Sequence, residues 1–158
     1  MKHELDPLLK VRKLREQVAA RQLRQARAVV VQCEQALTDA QRSADEFCRQ
    51  RPQQEAALFA ELQNQCAQRQ HVEAFQGNLR ALAEQQDTLD RLRDQAADAV
   101  QVANQALLQA TGIWRAAARS TEKLSDFVAQ AGTVAARELE NAAELEAEEF
   151  MVPRQVGE

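Results

Sequence analysis

Side chains able to do chemistry are few in this chain, and their spacing serves none of the common reaction types. His3 and His71 are the only histidines and lie 68 positions apart, so no paired-histidine zinc helix can form. Cys33, Cys48 and Cys66 are spaced widely and irregularly, unlike a zinc pattern, and three thiols cannot all pair. They read as free thiols of a reducing cytoplasm. Ser43, Ser120 and Ser125 sit in helical sequence without the sharp turn that exposes a nucleophile. The four glycines are isolated and make no phosphate-cradling loop. Glu144 and Glu148 stand one helical turn apart, but a carboxylate acquires the shifted pKa of an acid–base catalyst only by burial. A solvated helix face explains that pair better. These residues argue against an enzyme and imply no cofactor and no metal.

The elements that carry them are helices. Ala and Gln supply 30 and 22 of the 158 residues, against 4 Gly, 3 Pro and 3 Ser. Helix formers dominate and turn formers are nearly absent. Much of the 45% hydrophobic fraction is alanine, too small to fill a globular core. The composition predicts an elongated helical protein with a narrow, small-residued apolar seam.

A helical pattern begins after Asp6 and Pro7 and runs to about Gln50. Within it Ala19, Leu23, Ala26, Val30, Cys33, Leu37, Ala40, Ala44 and Phe47 recur at alternating steps of 4 and 3, an unbroken heptad seam. Leu8, Val11, Leu14 and Val18 follow that face loosely, with a phase shift near Val18. Pro52 cannot continue the helix without losing a hydrogen bond and clashing one turn back, but it can start a new one. A short helix over 52–66 is therefore expected, carrying Leu58, Phe59 and Leu62, with a bend in 63–70. From Val72 to Leu145, steps of 3 and 4 give 22 positions, of which only Gln86, Arg93, Thr121 and Glu138 are not apolar. A heptad sustained that long is a strong coiled-coil signal. Gly77 and Gly112 fall outside this seam, and Gly132 is a weak point.

The expected fold is all-α: a long antiparallel two-helix coiled-coil hairpin with a short helix at the tip. Its parts are an arm over 8–50, the tip helix 52–66, an arm over 71–148, and a flexible tail over 151–158, in a single domain spanning 1–150. At 1.5 Å per residue the second arm would span roughly 117 Å, the first roughly 63 Å and the tip helix roughly 22 Å. The acidic C-terminal stretch then overhangs the N-terminal arm.

Net charge is −4 and the pI about 5.3, which speaks against a nucleic-acid binder. Residues 1–27 carry eight Lys/Arg against three acids, and residues 137–158 carry seven acids against two Arg. An antiparallel hairpin brings these opposite ends together, whereas a parallel dimer would stack like on like. Uninterrupted apolar runs such as Ala28 to Val31 are too short for a transmembrane helix, and the first residues lack the apolar core of a signal peptide. The basic run has four readings: phosphate contact, a membrane surface, docking on an acidic protein, or pairing with the chain's own Glu-rich end. No aromatics interleave its charges, and no Trp or Phe anchor lies in 1–46. Exposed pairs with the C-terminal acids would each contribute under roughly 1 kcal/mol. Trp114 reads as core filling against a small residue of the other arm. Phe59, at the tip, either caps the coiled coil or contacts a partner.

The run Leu8-Leu9-Lys10-Val11-Arg12-Lys13-Leu14-Arg15-Glu16 resembles the opening of the YscO-type proteins of bacterial type III secretion. Arg51-Pro52-Gln53-Gln54-Glu55-Ala56-Ala57-Leu58-Phe59 is similar to an Arg-Pro-x-x-Glu-x-x-Leu-Phe segment of that family, and the acidic ending Glu144 to Phe150 also fits. The resemblance covers nearly the whole chain. With the flagellar relative FliJ, it implies an antiparallel coiled coil acting as the central stalk of a hexameric secretion ATPase. One end would enter the ATPase ring and promote its turnover. The other would approach the cytoplasmic ring of the export gate, and some members bind export chaperones. By position, Lys10, Arg12, Lys13 and Arg15 are expected at the ATPase, and Pro52, Leu58, Phe59 and Leu62 at the gate or a chaperone. On this reading the chain is a 17.7 kDa monomer on its own, cytoplasmic and peripheral at the inner-membrane secretion apparatus, with no nucleic acid and no stable membrane insertion. The alternatives are a free structural coiled coil or homodimeric scaffold without an ATPase partner, and a membrane-surface helix protein.

Overall fold

The computed structural model describes residues 2–65 and 68–151, with side-chain environments for 5–65 and 68–148. Two helices account for almost all of them: α1, Lys2–Asn64, and α2, Arg69–Met151. Between them the Gln65 N–H donates to the Leu62 carbonyl at 3.3 Å. The Gln68 carbonyl then accepts from the His71 and Val72 N–H groups at 3.0 and 3.3 Å, which starts the first turn of α2. The helices pack antiparallel within two compact units. One comprises Met1–Leu23 with Ala110–Glu158, the other Arg24–Gln109. The expected flexible tail falls largely on residues 152–158, outside the described residues.

In the first unit Arg12 donates a hydrogen bond to Ser120 Oγ, which fixes the pairing: opposed residue numbers add to 132. The inner face of α1 is Leu5, Leu9, Arg12, Glu16, Ala19 and Leu23, all buried or half-buried. These positions continue the seam upward from Ala19 by the same steps of 4 and 3. There is no phase shift near Val18, and Leu8, Val11, Leu14 and Val18 are exposed instead. Two polar residues thus lie in the inner seam where apolarity alone favours Val11 and Leu14. On α2 the facing row runs Ala110, Trp114, Ala117, Thr121, Leu124, Val128 and Ala131. Half-buried Trp114 stands about opposite Ala19, the small partner that its bulk requires. Thr121, only 7% exposed, satisfies its hydroxyl by donating to the Ala117 carbonyl of its own helix at 3.0 Å.

In the second unit the Phe59 ring meets the Phe75 ring edge-on, with centroids 6.1 Å apart at 63°, and opposed numbers add to 134. Val30, Ala44 and Phe47 of α1 are buried with Ala103 of α2. Gln86 and Arg93 occupy seam positions. Gln86 Nε2 donates to Asp90 at 3.3 Å, while its Oε1 is buried without a partner. Arg93 reaches Asp90 at 3.2 Å and Asp94 at 3.0 Å. The hydrogen bond to Asp94, then the Asp94 charge, raises the Arg93 pKa above its ordinary value, and Asp45 of α1 adds to that field.

The break expected at Pro52 is absent. Residues 52–64 are the end of α1, not a separate tip helix. Pro52 itself is exposed, and the inner positions around it are buried Phe47 and half-buried Arg51, Glu55, Leu58 and Leu62, where two steps of 4 follow one another. Such an extra step locally unwinds a heptad seam and keeps the apolar face toward the partner helix. The Arg51–Glu55 ion pair, 2.7 Å, brackets the proline on the inner side. Packing on α2 thereby outweighs the roughly 3 kcal/mol that an interior proline costs.

No described side chain is fully buried. A fully buried Leu or Phe contributes about 1.5–3 kcal/mol, so each seam residue here contributes a fraction of that and stability is spread along both helices.

Candidate protein-docking surfaces

The first unit places the basic run on a helix whose inner row is already fixed by heptad packing. At about 100° per residue, Lys10 and Lys13 share one side of α1, while Arg12 and Arg15 lie on another. Lys10, Lys13 and Arg15 are exposed; Arg12 is half-buried in the seam and engaged with Ser120. Of the four expected contact residues, three are therefore exposed cations with no ion pair among the described residues, and one is structural.

Among the described residues every ion pair joins groups of one helix, and none links the basic N-terminal run to the C-terminal acids. The register explains this. With numbers adding to 132, Lys2 stands opposite about residue 130, and residues 133–148 are exposed throughout. The acids lie beyond the point where α1 begins, out of reach of Lys10 to Arg15.

Beside those cations Val11, Leu14, Arg15, Val18 and Gln22 of α1 and Ile113 of α2 line a shallow groove. Sequence reasoning missed this groove because it assigned the apolar residues to the seam. Extending the seam backward by strict 4 and 3 steps, regardless of polarity, would have exposed it.

In the second unit Leu58 and Leu62 are half-buried and line a small cavity with Glu61, His71, Phe75 and Asn78. A neighbouring groove is formed by Gln54, Ala57, Leu58, Glu61, Ala81 and Leu82. Leu58, Glu61 and Asn78 are common to both. Phe59 is 53% exposed, one edge held by Phe75 and the rest open to a partner. Pro52 lies more than a turn away from this cluster and lines neither cavity. The structure thus brings Leu58, Phe59 and Leu62 together and leaves Pro52 aside.

Chemistry is sparse here as in the sequence. Cys33 is half-buried and Cys48 exposed, both free, while Cys66 lies outside the described residues. Among the described residues no group of three or more His, Cys, Asp or Glu is placed to hold a metal ion. No described helix is long and apolar enough to cross a membrane.

A family model described as Type III secretion protein YscO matches residues 5–153. The crystal structure of Type III secretion protein YscO from Vibrio parahaemolyticus superposes with a TM-score of 0.85 at 21% identity, covering 94% of each chain. That likeness establishes the two-helix fold. No curated protein matches the chain.

Proposed function

Because this chain belongs to the YscO family of type III secretion proteins, we propose that it is the non-enzymatic central stalk of a secretion ATPase. In this reading it binds and stimulates the hexameric ATPase and links it to the cytoplasmic ring of the export gate. It also receives export chaperones, working in the cytoplasm at the inner-membrane apparatus. The stalk needs no active site of its own. It alters the ATPase by binding one state of the ring better than another, and docked side chains can do that.

The observation that supports this reading is the set of exposed cations, Lys10, Lys13 and Arg15, which have no acidic partner among the described residues. Unpaired charges steer and orient a partner without the desolvation cost of a buried pair. The Leu58, Phe59 and Leu62 cluster supplies a second, apolar surface of the kind that anchors a gate or chaperone contact.

The test is steady-state ATP hydrolysis by the cognate ATPase with and without this protein. Lys10→Glu, Lys13→Glu and Arg15→Glu combined should abolish stimulation while helix content is kept. Arg12→Ala should act through stability instead. Stimulation that survives the triple charge reversal refutes docking through this face.

A further inference from the structure

Acidic residues are absent from one side of α2. Stepping by 3 and 4 from His71 to Val134, the row that flanks the seam on that side has 19 positions, no Asp or Glu, and Lys123 as its single Lys or Arg. Glu73, Asp87, Asp94, Glu122 and Asp126 all fall on other sides of the helix. The outer rows of a coiled coil are normally charged, so a bare row beside the seam marks a surface built for contact.

In the first unit this row meets a counterpart on α1. Ile113 and Phe127 of α2, two heptads apart, are 56% and 53% exposed. Leu8, Val11, Arg15, Val18 and Gln22 recur on α1 at heptad steps, all exposed. Val11 and Val18 line one groove with Ile113 and the small, buried Ala19. Arg15 lines the same groove and is the only charged residue in it. Lys10 and Lys13 lie on the other side of α1 and take no part in it. An exposed apolar groove between two paired helices accepts the apolar face of a third.

Neither the far end of α2 nor residues 152–158 can fill this groove. Val11 stands opposite about Thr121, and Met151 lies about 30 residues, or roughly 45 Å, further along a helix that leads away. Residues 152–158 span at most about 25 Å even when fully extended. We infer that this groove is where the stalk holds the ATPase, an inference that rests on the reading proposed above. The segment received is an amphipathic helix of the ATPase, with an apolar ridge for Val11, Val18 and Ile113 and a carboxylate for Arg15. Charge complementarity selects the carboxylate, because Arg15 and Lys123 are the charged groups of the two rows here and both are basic. Residues 8–22 span roughly 21 Å, which sets the docked helix at about four turns. Lys10 and Lys13 then steer the approach, while Val11, Val18, Ile113 and Arg15 hold what has docked.

The experiment measures association and dissociation rates of the full chain with the purified cognate ATPase, together with ATP hydrolysis, at about 0.1 M salt. Val11→Asp with Val18→Asp, and separately Ile113→Asp, should raise the dissociation rate at least about tenfold and weaken stimulation in step. Arg15→Glu should weaken binding, whereas Arg15→Lys should keep it. Lys10→Glu with Lys13→Glu should instead slow association and leave the dissociation rate within about threefold. All these side chains are exposed, so the helices should survive, and circular dichroism checks each variant. The α1 pair and the α2 change test the groove from separate helices, so one decides if the other loses structure. Groove variants that bind and stimulate like the parent overturn the inference, as does an Arg15→Glu chain that binds undiminished. If the combined reversal of Lys10, Lys13 and Arg15 still abolishes stimulation in that case, the stalk reading stands without the groove. A parent chain that neither binds nor stimulates the ATPase overturns both. A chain that dimerises alone and loses the dimer with the groove changes also overturns the inference, because a second copy then fills the groove.

Discussion

Replacing Gln86 by methionine should make this protein more stable. Gln86 holds a seam position in the second unit, about opposite Phe47 in the register that sets Phe59 beside Phe75. Its Oε1 is buried without a hydrogen-bond partner, and its Nε2 makes only one long bond, 3.3 Å, to Asp90. A buried unsatisfied carbonyl costs about 1–3 kcal/mol, and the long bond contributes at most about 0.5 kcal/mol. Methionine keeps the length, the unbranched stem and the helix propensity of glutamine. The expected net gain is about 1–2 kcal/mol, a rise in Tm of about 3–8 °C for a chain of this size. Thermal and urea unfolding followed by circular dichroism measure it, and the urea slope should not change. Gln85, the exposed neighbour, provides the control: Gln85→Met should stay within about 0.5 kcal/mol of the parent. A Gln86→Met protein no more stable than the parent would refute the argument, because Oε1 would then have no unmet need. An altered mass would refute it differently, by showing that Gln86 sets the pairing register.

Gly77→Ala and Gly112→Ala should each stabilise by about 0.5–1 kcal/mol, since an added Cβ meets nothing within 4 Å and both sites are helix interior. They lie in different units, so the double variant should be additive in urea melts. Pro52→Ala should raise stability by about 1–3 kcal/mol, because α1 already passes through this position and alanine restores the N–H that proline lacks; a loss of stability would mean that the proline is needed as a break. Arg12→Ala should cost about 1 kcal/mol by releasing Ser120, whereas Lys10→Ala should be neutral, and thermal melts of the pair check the difference.

The heptad seam was legible wherever two helices lie side by side. All nine positions from Ala19 to Phe47 are buried or half-buried, and so are the seventeen consecutive seam positions of α2 from Phe75 to Ala131. Beyond them Ala135, Glu138, Ala142 and Leu145 keep the same rhythm yet face solvent. Periodicity reports which face could pair, and only the register decides how far pairing extends. Two errors have a common physical source. At Leu8 to Val18 side-chain polarity pointed away from the true inner row, and at Pro52 a backbone rule pointed to a break. In both places the continuous packing of neighbouring turns prevailed over the local preference. The docking surfaces were harder to read for the same reason. Lys10, Lys13 and Arg15 are visible as a charged run, but Arg12 is indistinguishable from them until the seam assigns it to Ser120.

The confinement of every described ion pair to a single helix has a practical result. At about 1 M salt the screening length falls to roughly 3 Å, which removes exposed charge contacts but leaves apolar helix pairing intact. Ionic strength therefore acts on what this protein touches and spares how it folds. Raising it should release a charged partner from a captured complex with the helices undamaged, and returning to low salt should let the same molecule bind again.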